Sequence, residues 1–317
     1  MSASEPIIDP TAVDPAQEPS APAIYARPPV LRTLLRRELW EHRALWIAPL
    51  AVAALLLLLA IIGKTNADFG QVALPEQRRA LFAVIMAYAV VPQFLVLGIV
   101  SWMYAGDCLY TERKDRSILF WKSMPVSDTL TVLSKLLLVA VLVPLGMYLV
   151  SLVTTLLMAG IYLVRSGHDP GGGFFWDGGT WLRIQWITLV SVVAGSLWYA
   201  PITAFLMLVS AWARRSVQLW VFLPPIILAV GESFALGSHH IRDILFYRLG
   251  GVFAHNMNMV ALPGTRTDAD ARGSLNLLFA NIDPSPVFAN ADLWLGLVVA
   301  ALLIVATIRI RQYRDDT

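Results

Sequence analysis

Six stretches of this 317-residue chain are apolar over too great a length to sit in water, and that requirement limits its fold more than anything else in the sequence. A helix needs about 20 apolar residues to cross the hydrocarbon core of a bilayer, and it alone among open structures satisfies its own backbone there. The stretches run over 45–62, 81–104, 133–164, 186–213, 217–236 and 293–308. The third and fourth exceed one crossing but are too short for two, which predicts tilt or protrusion into the aqueous layer. Pro92, Pro144, Pro201 and the pair Pro224-Pro225 fall inside these stretches. Composition agrees. Hydrophobic residues make up 57% of the chain and charged residues 15%, against 45–50% apolar in ordinary soluble domains. The expected fold is an all-α polytopic membrane protein with six transmembrane helices.

The flanks read differently. Residues 1–28 are rich in Pro, Ala, Ser and acidic side chains without periodicity, so a disordered tail is expected before a membrane domain over 29–317. From 30 to 46 an amphipathic pattern appears. Leu31, Leu34, Leu35, Leu39, Leu45 and Trp46 gather on one side, with Arg32, Arg36 and Arg43 beside them. Such a helix either lies in the membrane interface or forms the basic flank of the first span.

Orientation follows from basic residues. With the N-terminus inside, fifteen of the 24 Lys and Arg fall on the cytoplasmic side, as the positive-inside rule asks. A multi-pass protein of the cell (inner or plasma) membrane with both termini cytoplasmic is expected. Segment 165–185 reads as an outer turn. Segment 237–292 is the longest outer stretch, and its apolar pieces 244–253 and 275–282 look too short to span.

Few residues suggest chemistry. The net charge of +2 gives no reason to expect nucleic acid as a partner. One cysteine, Cys108, rules out an internal disulfide framework. Gly63-Lys64-Thr65 resembles the end of a phosphate loop, but the glycine needed five residues earlier is Leu58. His239, His240 and Asp243 lie close in sequence, yet adjacent histidines on a helix diverge and seldom share one ion. No catalytic set and no metal site is expected. Glu232 is the clearest ionisable group at membrane depth, either on a transport path or as a hydrogen-bonded structural carboxyl near the end of its helix.

The remaining feature is the loop 106–135. Glu112, Arg113, Lys114, Asp115 and Arg116 run into Ile118, Leu119, Phe120 and Trp121, followed by a turn at Met124-Pro125-Val126-Ser127. Charge would solvate one side of a short helix, and the apolar run needs cover from headgroups, the protein's own helix ends or a second protein. Apolar clusters rimmed by charge mark protein contacts.

At this loop the chain resembles the permease subunits of ABC-2 type transporters. The matching pieces are Glu112-Arg113 through Arg116-Ser117, then Met124-Pro125-Val126-Ser127, then Ser134-Lys135 opening the third span. Many members of that family have Gly where this chain has Arg116. The resemblance implies a coupling helix between the second and third spans that docks on a separate ABC ATPase, with ATP and magnesium bound there and no cofactor on this chain. Glu112, Arg113, Lys114, Asp115 and Arg116 would then supply charged contacts. Ile118, Leu119, Phe120 and Trp121 would pack at the membrane-side seam, with Pro125 joining the loop rigidly to the third span. Helix 31–43, carrying Arg32, Arg36 and Arg43, would be the connecting helix. Two permeases, identical or paralogous, would pair within membrane lipid as an exporter. Two other readings share parts of the pattern. One is a non-transporting assembly or sensor subunit; the other is a proton-coupled secondary transporter using Glu232.

Overall fold

A computed structural model of the chain describes residues 30–63, 75–115, 126–166, 176, 178–259 and 288–313. Among the described residues every regular element is helical. In chain order these are α1 (Val30–Glu41), α2 (Ala44–Ile62), α3 (Pro75–Asp107), α4 (Tyr110–Lys114) and α5 (Asp128–Leu137). A π-turn (Leu138–Leu142) joins α5 to α6 (Val143–Ser166). Then come α7 (Gly178–Trp198), α8 (Ala200–Trp212), α9 (Val217–Leu236), α10 (His240–Met259) and α11 (Ala291–Tyr313). Six helical runs are long and apolar enough to cross a membrane: α2, α3 with α4, α5 through α6, α7, α9 and α11. The chain is a multi-pass helical membrane protein.

Each span buries a narrow stripe and leaves the rest facing outward, as expected when lipid is the solvent. On α2, Leu45, Pro49, Ala53 and Ala60 are buried while Leu50, Leu55, Leu58, Leu59 and Ile62 are exposed. Small residues at the buried positions let α2 approach α3 and α6 closely. The main core lies at the end of the bundle where α2 begins and α3 ends, around Leu97, Tyr104, Val132, Met147, Met207 and Ile304. Helix α11 packs chiefly on α8.

Several boundaries differ from the sequence expectation, each for a local reason. The amphipathic helix stops at Glu41, and Arg43 stands at the start of α2 rather than on α1. The fourth stretch begins earlier, at Gly178, and is divided at Tyr199 into α7 and α8. Pro201 in the first turn of α8 has no N–H to continue the ladder, which favours the break there. In the third span Pro144 would crowd the carbonyl four residues back. The backbone opens instead into the π-turn, where the Val143 N–H donates to the Leu138 carbonyl.

The piece 244–253 is not a short fragment but the middle of the 20-residue helix α10. It folds back against α7 and α9. Arg248 stacks 4.4 Å from the Trp198 ring centroid and donates to the Asp292 carbonyl at 3.0 Å. The Trp198 indole N–H donates to the Arg248 carbonyl at 2.9 Å. Gly296 makes room for this arrangement, since a Cβ there would run into the Arg248 guanidinium. The tail 1–28, the piece 275–282 and residues 116–125 lie outside the described residues.

Glu232 takes its place in the α9–α10 turn. Gly237, at φ 63°, ends α9 in the left-handed conformation that glycine adopts without strain. The Glu232 carboxylate then accepts from the His240 and Ile241 backbone N–H groups at 2.9 and 2.7 Å, and from the Ser238 hydroxyl at 2.6 Å. These N–H groups open α10 and have no partner within their own helix. Glu232→Ala is therefore expected to speed amide exchange at His240 and Ile241 while leaving α2 and α3 unchanged. Hydrogen exchange measured in detergent or nanodiscs checks this.

Candidate functional site

Four elements distant in sequence meet at the α1 end of the bundle through a buried group of charges. The arrangement starts with α1, whose inward stripe contains Leu34 and, one turn on, Glu38. Positions four apart share a helix face, so Glu38 sits where an apolar residue would be expected. It is 3% exposed. Its Oε1 accepts from Lys135 Nζ at 2.6 Å, and its Oε2 accepts from the Tyr104 hydroxyl at 2.9 Å.

Lys135 comes from α5 and is 1% exposed. The helix is started by Ser127, whose extended backbone and side-chain oxygen cap the Leu130 N–H at 3.2 Å. That register points Lys135 inward two turns later. Its ammonium contacts Glu38 and also Glu112 Oε1, the latter at 3.1 Å. Glu112, on α4, accepts from Arg311 Nη1 at 2.8 Å through its other oxygen. Arg311 belongs to the last turns of α11, and its Nε donates to Asp128 at 2.8 Å. Two buried carboxylates thus face two buried cations, with Asp128 at the wetter edge. Burial lowers the His42 imidazole below its usual range, so the ring that stands edge-on to Tyr104 at 4.7 Å joins the group as a neutral partner at neutral pH.

Charges this deep survive only when paired, because neither partner alone repays its lost hydration. Their mutual arrangement fixes α1, α4, α5 and α11 relative to one another.

A second fastening holds α4. The Ser210 hydroxyl on α8 accepts from the Leu109 and Tyr110 N–H groups at 3.1 and 3.0 Å, which caps the break between α3 and α4. In return Arg113 Nη2 donates to the Ser210 and Ala213 carbonyls at 2.6 and 2.8 Å, which caps the C-terminal end of α8. Each helix end closes the other.

This geometry separates the residues singled out from sequence. Glu112 and Arg113, expected to solvate the surface of the loop, turn inward to partners within the chain. Lys114 and Asp115 remain exposed beside them. Arg32 and Arg36 are exposed on α1, and Arg43 is exposed beyond it. Arg116, Ile118, Leu119, Phe120, Trp121 and Pro125 lie outside the described residues. His240 turns to Glu232 at 3.1 Å and His239 to Ser233 at 2.9 Å. Among the described residues no group of three His, Cys, Asp or Glu side chains is placed to hold a metal.

Sequence reasoning passed over Glu38, Tyr104, Asp128 and Arg311. Glu38 did carry a signal, a carboxylate on the apolar stripe of an amphipathic helix. Arg311 carried none, because a basic residue at the end of a span is ordinary.

No family model matches the chain, and neither a curated protein nor a solved structure does.

Proposed function

We propose that this chain is the permease subunit of an ATP-driven ABC transporter, an exporter of the ABC-2 type. Its ATPase is a separate chain that docks on the α1 end of the bundle, over the loop 106–135. On this reading the α1 end faces the cytoplasm, a second permease completes the membrane pathway, and ATP and magnesium bind to the partner.

One observation carries the reading: the four-helix charge group at the base of the loop. A motor outside the membrane can drive transport only if its stroke reaches the spans rather than dissipating in a loose connection. Here α4 leaves the second span, α5 opens the third and α11 closes the last, and Glu112, Lys135 and Arg311 bind them together. The exposed Lys114 and Asp115 lie directly beside that junction. The engagement of Glu232 at the start of α10 favours its structural role over the proton-coupled alternative.

Purification of the tagged full-length chain from its native membranes tests the proposal. A nucleotide-hydrolysing subunit with a phosphate-binding loop should be recovered in equal amount, and Trp121→Ala should reduce that recovery. Recovery of the permease with no such subunit, under conditions that preserve the fold, overturns the reading.

A further inference from the structure

Away from the charge group, α3, α6 and α7 pack together around a layer of uncharged polar side chains. Thr155 on α6 anchors it. Its hydroxyl donates to the Leu152 carbonyl at 3.0 Å, so the oxygen is left to accept. It accepts from Gln185 Nε2 at 3.0 Å and from the Trp181 indole N–H at 3.3 Å, both on α7. Because Thr155 has already used its proton, the Gln185 amide is fixed with its nitrogen inward and its Oε1 facing elsewhere. That oxygen is buried, and among the described residues it has no partner.

Gln93 on α3 repeats the pattern. Its Nε2 donates to the Ala89 carbonyl at 3.1 Å. A carbonyl only accepts, so the orientation is fixed again and Oε1 is left over. It too is buried, with no partner among the described residues. Ser151, one turn before Thr155 on the same face of α6, has a buried hydroxyl in the same condition. Packing places Gln93 near this level: Ala89, one turn away, clusters with Met158 of α6. Gln93 and Ser151 are 0% exposed and Gln185 is 4% exposed.

The two amides supply acceptors, and the Ser151 hydroxyl can donate as well as accept. Acyl chains have no donor to offer. A cation would bring an uncompensated charge into a neutral layer at membrane depth. A larger donor would need a mouth that residues so deeply buried do not present. We infer that α3, α6 and α7 enclose a hydration site, in which ordered water donates to Gln93 Oε1 and Gln185 Oε1, accepts from the Ser151 hydroxyl and links the three helices. Waters of this kind typically make about three hydrogen bonds to buried polar groups.

Water-edited solid-state NMR on the unmodified full-length chain in bilayers tests this directly. The Gln93 and Gln185 side-chain amides should receive magnetisation from water several times faster than the methyl groups of Leu149 and Val153, which face outward on α6. A second measurement uses Ser151→Ala, which should slow the transfer to Gln185 while leaving that to interfacial residues unchanged. Amides that fill as slowly as the Leu149 methyls, or that draw their magnetisation from lipid chains, overturn the inference.

Discussion

Lys135→Met should cost the protein about 3–5 kcal/mol, the usual penalty for removing one partner of a buried charge pair. The methionine fills similar space, so the loss is electrostatic. Glu38 and Glu112 would be left facing each other, with Arg311 reaching only the second. Against a total stability of about 5–15 kcal/mol, a loss of this size shifts thermal unfolding sharply. Thermal scans of the detergent-solubilised protein measure it. The cause is isolated by adding Glu38→Gln, which removes one of the orphaned carboxylates. The double variant should be more stable than Lys135→Met alone, and additive losses would show that the two side chains do not interact.

The second large effect distinguishes two neighbouring charges on one short helix. Glu112→Lys would set a third cation against Lys135 and Arg311 in a site with almost no water, and the variant should fail to accumulate in the membrane. Lys114→Glu, two residues on and exposed, should leave expression and thermal stability within about 0.5 kcal/mol of the parent. On the proposed function its effect falls on recovery of the partner ATPase, where reversing an exposed charge would weaken a complementary surface. Quantified membrane expression followed by co-purification separates the two. Equal accumulation of both variants would mean that Glu112 does not carry the burial described above.

The six spans were legible because lipid imposes a length and a composition that nothing else imitates. The bounds of α9 follow the apolar run without adjustment. Less legible was the start of α5, where Ser127, read only as part of a turn, caps a helix that begins at Asp128, five residues before the third apolar stretch. The charge group was not legible. Its members lie at 38, 112, 128, 135 and 311, and such separations carry no periodic signal. Glu112 illustrates the difficulty: it belongs to a charged run that reads as a solvated surface, and only the approach of α5 and α11 turns it into an interior residue. The extent of α10 was missed for another reason. Arg242, Asp243, Arg248 and His255 interrupt its hydropathy, so the helix escapes a reading that seeks unbroken apolar runs.

The wide turn at Leu138–Leu142 governs which way the third span looks above and below it. Thr131, Lys135, Val139, Val143, Met147, Ser151, Thr155 and Ala159 are all buried, a count in fours along the whole rod. An uninterrupted α-helix gains 100° per residue, so each step of four would carry that line about 40° around the axis. Lys135 and Ser151 would end up about 160° apart, one of them facing lipid. The surplus residue held in the turn takes back roughly 100° of this. Ionic base and neutral polar midsection therefore share one inward meridian, kept in phase by a single irregularity beside Pro144.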